Sequence, residues 1–143
     1  MIYLFVAVVA TEVRGQEIFP FFNWSLFSAA SNPKTDNVLV IRSVDGVKLA
    51  RPTLFYDMGR RFSAAKRGDS RVAKATDQLR YAVTYHDPAR EKQLRATIET
   101  TFMGEADQVE YDLAVMAYDP IERLNSGAIL ARQTIRSYRK GER

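Results

Sequence analysis

Asp45-Gly46 interrupts a run of apolar and β-branched residues, and no other pair in the chain restricts the fold so closely. A two-residue hairpin turn needs positive φ at its central positions, which this pair supplies at little steric cost. Upstream, Val38, Leu39, Val40 and Ile41 lie within residues 37–44, apolar on both sides, as in a strand with one face packed and the other at least partly covered. Val47, Lys48, Leu49 and Ala50 return, and Pro52 ends or edges the second strand. An antiparallel hairpin is therefore expected at the centre of the fold.

From about Asp57 the pattern becomes helical, with a first short helix broken at Gly68-Asp69-Ser70. Asp69 or Ser70 then caps a second helix, whose apolar face carries Val72, Ala75, Leu79, Ala82, Val83 and His86. Asp87-Pro88 starts another, with Asp as N-cap and Pro at the first helical position. Its stripe is Leu94, Ile98, Thr101 and Phe102, and Gly104 stops it. Val109, Tyr111, Leu113, Val115 and Ala117 alternate with more polar neighbours, as in a strand with one apolar face. Asp119-Pro120-Ile121-Glu122 predicts one helical turn, and residues 128–138 a last strand. The sum is an α+β fold: an apolar N-terminal helix, then an antiparallel sheet of about four strands with helices on one face.

The inventory of reactive groups is thin. There is no cysteine and one histidine among 143 residues, which excludes thiolate nucleophiles, cysteine zinc sites and any multi-histidine metal site in one chain. His86 on a helical apolar face reads as packing, and no Gly-x-Ser-x-Gly elbow accompanies it. Glu105, Asp107, Glu110 and Asp112 lack the spacing of a calcium loop and read as a solvated face. No glycine-rich phosphate loop occurs. The expectation is a protein that is not an enzyme, with no catalytic residue, cofactor, metal or small-molecule substrate. The net charge of +4 is concentrated within residues 60–95, where Arg60, Arg61, Arg67, Arg71 and Lys74 form the candidate basic surface for anionic lipid or an acidic partner. Nucleic acid is not favoured, because no recognised binding motif accompanies the charge. The runner-up reading keeps it open: a soluble binding module with a buried N-terminal helix, contacting nucleic acid through residues 60–95.

Residues 1–10 are continuously apolar. As a helix ending near Arg14 they reach only about 20 Å, short of the ~30 Å hydrocarbon layer, so a longer span entering from upstream is expected. Phe19, Phe21, Phe22, Trp24 and Phe27 follow, with Pro20 among them. Rings with a polar edge settle at the headgroup level, which makes these five the candidate membrane-interface residues. The stretch Glu17-Ile18-Phe19-Pro20-Phe21-Phe22-Asn23-Trp24-Ser25-Leu26-Phe27-Ser28, behind an apolar helix, resembles a family of small bacterial membrane-anchored proteins. Its members carry a single N-terminal membrane helix, a Phe-Pro-Phe-Phe-x-Trp-Ser-Leu-Phe segment and a compact domain. The resemblance is specific over about a dozen residues and implies a topology and a bacterial source rather than a chemistry, with the domain on the outer, periplasmic face. The organisation expected is an anchor helix over residues 1–18, an aromatic interfacial segment and loop over 19–36, and one α+β domain over 37–143. The function expected is that of a non-catalytic accessory protein, with the lipid bilayer and another membrane protein as partners.

Overall fold

Asp45 and Gly46 adopt φ of 50° and 80°, and the hairpin forms around them. In this computed structural model, which describes residues 33–66 and 68–141, β1 (Lys34–Val44) turns back into β2 (Val47–Leu54). A single 3-10 turn (Phe55–Asp57) leads toward α1 (Ser70–Thr84) and α2 (Pro88–Thr101). The chain then runs through β3 (Val109–Tyr118), α3 (Pro120–Ser126) and β4 (Ala131–Lys140). The sheet order is β2-β1-β3-β4, and every neighbouring pair is antiparallel. An α+β fold on a four-stranded antiparallel sheet is thus the observed architecture. The anchor expected over residues 1–18 and the five ring positions from Phe19 to Phe27 lie outside the described residues.

The longest pairing joins β1 to β3, from Lys34 opposite Tyr118 to Val44 opposite Val109, with a register shift between Ile41 and Ser43. β1 therefore begins inside the segment expected to be loop. Lys34, Thr35 and Asp36 are drawn into the ladder by the end of β3, a partner that local turn propensity does not register.

One face of the sheet meets α1 and α2. Leu39, Ile41, Tyr111 and Leu113 pack there with Phe55, Phe62, Val72, Leu79, Ile98 and Met103. Both helices are capped as their sequences require. Asp69 accepts a bond from the Arg71 amide at the start of α1, and Asp87 accepts one from the Arg90 amide ahead of Pro88 at the start of α2. Gly104 follows α2 closely, since a Cβ there would lie 2.8 Å from the Thr100 carbonyl oxygen.

Three local expectations are corrected. Residues 58–66 do not form a helix: past the 3-10 turn they run in turns with bonds such as Arg61 N–H to Met58 C=O at 2.8 Å. Phe55 and Phe62 stack at 5.5 Å in the core, and the Ser63 amide is held by the Glu105 carboxylate at 2.9 and 3.0 Å. Burying these rings from a turn wins over helix propensity. His86 leaves the helical face, because α1 ends at Thr84 and His86 is exposed with φ of 54°. β3 is not one-sided either. Val38, Val40, Leu54, Ala114 and Met116 make a second cluster, on the sheet face away from α1 and α2, with Tyr118 beside it. Arg123 of α3 reaches this face, stacking over Tyr118 at 5.1 Å.

The hairpin turn is tied to the start of β3 through Asp45. Its carboxylate accepts the amides of Asp107 (2.9 Å) and Gln108 (3.1 Å) and pairs with Arg61. The Gln108 amide contributes most to holding the Asp45 carboxyl below the ordinary carboxylate range. A depressed folded pKa stabilises above the unfolded value, and the contribution is lost as pH falls through the folded one. Asp45→Asn keeps a residue that tolerates positive φ, so urea midpoints measured against pH should show a loss at neutral pH that vanishes in acid. Ile98→Ala, in the fully buried α2 position, should cost about 2–5 kcal/mol in equilibrium unfolding.

Candidate functional site

β2 is shorter than the strand it pairs with. The last pair is Val40 with Leu54, so residues 34–39 have β3 on one side and, among the described residues, no strand on the other. A cleft of about 670 Å³ opens at this edge. Thr35, Asp36, Asn37 and Val38 all line it. Four successive strand residues can share a cavity only where it abuts the strand's hydrogen-bonding edge, since one face would expose alternate residues. Leu54 and Pro52 continue the wall from β2, Ala73 and Asp77 from α1, and Met116, Arg123 and Arg132 from the second sheet face.

The direction of the free backbone groups follows from the ladder. The Leu130 amide donates to the Ala117 carbonyl at 2.9 Å, so Ala117 turns its polar backbone toward β4. Its β1 partner Thr35 therefore turns away from β3, and by alternation so does Asn37. Their N–H and C=O groups point to the cleft side.

The acidic side chains of this cleft have partners. Asp36 accepts the Tyr118 hydroxyl at 2.7 Å, and Asp77 accepts the Asn37 amide at 2.8 Å. Arg51, Arg123 and Arg132 pair with no carboxylate among the described residues. Arg123 instead lies 3.1 Å from the Met116 sulfur. The cleft therefore offers backbone edges, an apolar floor and guanidinium groups held ready for an acceptor.

The sequence-expected basic surface is distributed differently. Arg67 lies outside the described residues, as do Phe19, Phe21, Phe22, Trp24 and Phe27. Arg60 is exposed, and Arg61 is committed to Asp45. Arg71 and Lys74 share the opening turns of α1, both exposed, but Arg71 pairs at 2.7 Å with Asp69, the cap of its own helix. The Arg71 side chain leads in pulling the Asp69 carboxyl down to about 2. The acidic run is divided too: Glu105 bonds Ser63, Glu110 pairs with Arg139, and Asp112 lies 3.2 Å from Arg42. Among the described residues no three metal-ligating side chains converge, and no helix is long and apolar enough to cross a membrane.

Sequence reasoning missed a half-buried polar network under α2. The Tyr111 hydroxyl donates to Glu99 at 2.8 Å, Arg95 reaches the same oxygen at 3.1 Å, and the Tyr138 hydroxyl donates to Glu91 at 2.9 Å. Glu91, Arg95 and Glu99 recur every fourth residue, which is the signal that places them on one helical stripe. Arg136 closes the set on Glu91 at 2.7 Å. Burial, then the neighbouring carboxylates, push both hydroxyls well above the ordinary tyrosine range. Such groups donate hydrogen bonds and resist ionisation, so the network fixes α2 on β3 and β4.

Comparison of the chain with protein-family models, with curated proteins and with solved structures finds no match.

A folded tyrosine pKa above the unfolded value stabilises fully below the unfolded pKa, and that stability is lost as pH rises toward the folded one. Phenolate absorbance of the native chain should therefore lag that of the denatured chain in alkaline titration, and Tyr111→Phe should remove part of the lag. The same substitution removes one of the two donors to Glu99, leaving Arg95, and should cost about 1–3 kcal/mol, the range for a hydrogen bond to a charged acceptor.

Proposed function

We propose that this is a single-pass, membrane-anchored bacterial protein whose α+β domain is a non-catalytic partner of another membrane protein. The observation that carries the reading is where the domain exposes apolar surface. Lys34, the first residue of β1, pairs with Tyr118, the last of β3, so the 119–130 connection hangs from the end of the sheet at which the N-terminal segment arrives. That connection exposes Ile121, Leu124, Ile129 and Leu130, with Leu124 86% and Leu130 60% accessible. Four large apolar side chains exposed within ten residues of one connection are what an interaction site presents. Ile121 and Leu124 stand on a capped helix, since α3 is capped by Asp119 and closed by Gly127 at φ of 74°, and Ile129 and Leu130 follow in the connection to β4.

In this reading Phe19, Phe21, Phe22, Trp24 and Phe27 hold the headgroup level, and the tip of residues 119–130 faces the same bilayer. Lys34, Arg123 and Arg132 flank that end of the sheet, where each cation near an anionic surface contributes on the order of 1 kcal/mol. Arg60, Arg61, Arg67, Arg71 and Lys74 remain the candidates for lipid or an acidic partner further along the domain. The domain belongs on the periplasmic side, as the resemblance implies.

Flotation of the full chain with phosphatidylcholine–phosphatidylglycerol vesicles tests this. The chain should rise with the vesicles, and Leu124→Asp combined with Leu130→Asp should lower the partition at least tenfold, since burying one Leu is worth about 1.5–3 kcal/mol. A chain that stays below the vesicles would refute the anchored reading, and an unchanged double variant would refute the orientation of the tip.

A further inference from the structure

We infer that the cleft beside residues 34–39 binds a short extended segment of a partner protein, carrying acidic side chains, which adds as a strand alongside β1 where β2 stops. The inference names the kind of partner segment within the interaction role proposed above and rests on that reading.

A sheet edge open to water is ordinarily blunted by charge, proline or brevity. β2 follows that rule through Pro52, and β4 through Arg132, Arg136, Arg139 and Lys140. The edge of β1 is different. The backbone groups of Thr35 and Asn37 face a walled cavity, between α1 on one side and Met116 and Arg132 on the other. β2 itself cannot extend into the space, because Leu54 is followed at once by the 3-10 turn that buries Phe55. A strand laid there would pair with Thr35 and Asn37 through its main chain and present alternate side chains to the two walls.

Charge selects what those side chains are. On the second-face wall, Arg123 and Arg132 stand beside Asp36, which already accepts the Tyr118 hydroxyl, and neither guanidinium has a carboxylate among the described residues. Acidic side chains at every second position would all reach this wall. A basic segment in the same register would meet two guanidiniums. Register flips by one residue exchange the faces: an acidic alternating peptide can turn its carboxylates to the guanidinium wall, whereas a basic one turned the other way meets Asp77, whose carboxylate already accepts the Asn37 amide.

The test uses the folded full chain in detergent micelles and a fluorescent nine-residue peptide alternating Glu and Thr, read by anisotropy. A Lys–Thr peptide of the same length and a Glu–Thr peptide N-methylated at every second residue serve as controls. The Glu–Thr peptide should bind at least tenfold more tightly than either. Arg132→Glu, at an exposed position, should weaken it at least tenfold and narrow the gap to the Lys–Thr peptide. Thr35→Pro, which deletes one cleft-facing N–H, should weaken both. Equal binding of the acidic and basic peptides would overturn the inference. So would indifference to N-methylation, or displacement of the acidic peptide by short-chain phosphatidylglycerol at lower concentration than unlabelled peptide. Because no bilayer is present, peptide binding can fail while flotation succeeds, and flotation can fail while the peptide binds.

Discussion

The pairing of β1 with β3 is the constraint from which the other features follow. These strands lie far apart in sequence, yet they match from Lys34 and Tyr118 to Val44 and Val109. Together they form the middle of the sheet, buried on both faces, with β2 and β4 attached outside. Such a pairing carries a large loop-closure cost before any contact returns it. The two-sided burial of Leu39, Val40, Leu113 and Ala114 provides the compensating term. Asp45 reinforces one end, where a single carboxylate holds the hairpin turn against the first residues of β3.

The two ends of this central pair have different characters. At the hairpin end, Asp45, Arg61, Glu110 and Arg139 are occupied with one another and with backbone amides. At the opposite end β1 outruns β2, and the 119–130 connection carries its apolar side chains outward. Among the described residues, the part of β1 with no strand beside it, the guanidiniums with no carboxylate and the exposed leucines therefore all lie toward the end of the sheet where β1 begins.

How much of this was legible in the sequence depends on how local its cause is. Asp45-Gly46, Asp69, Asp87-Pro88 and Asp119-Pro120 specify turns and caps within a few residues, and each stands in the structure as read. The four-stranded antiparallel sheet followed from counting alternating runs between them. What failed was non-local. Residues 57–67 look helical until Phe55 and Phe62 find the core, and Ala114 and Met116 look like the wet side of β3 until Val38, Val40 and Leu54 pack on them. The cleft was invisible for the same reason, since it arises from a difference in strand length that only the register fixes. The Glu91, Arg95 and Glu99 stripe was present as a spacing, but Tyr111 and Tyr138, which give it meaning, come from strands chosen by the fold.

In the membrane-anchored reading proposed above, the aromatic segment lies at the headgroup level, ahead of a domain whose apolar tip faces the same surface. Trp24 is the only tryptophan in the chain, so its emission reports that segment alone. The most direct measurement is quenching of Trp24 in the full chain by lipids brominated at successive depths along the acyl chain. The account predicts a blue-shifted emission in vesicles, quenched most by the shallowest bromines. Emission that is the same with and without vesicles, and untouched by bromine at any depth, would contradict it.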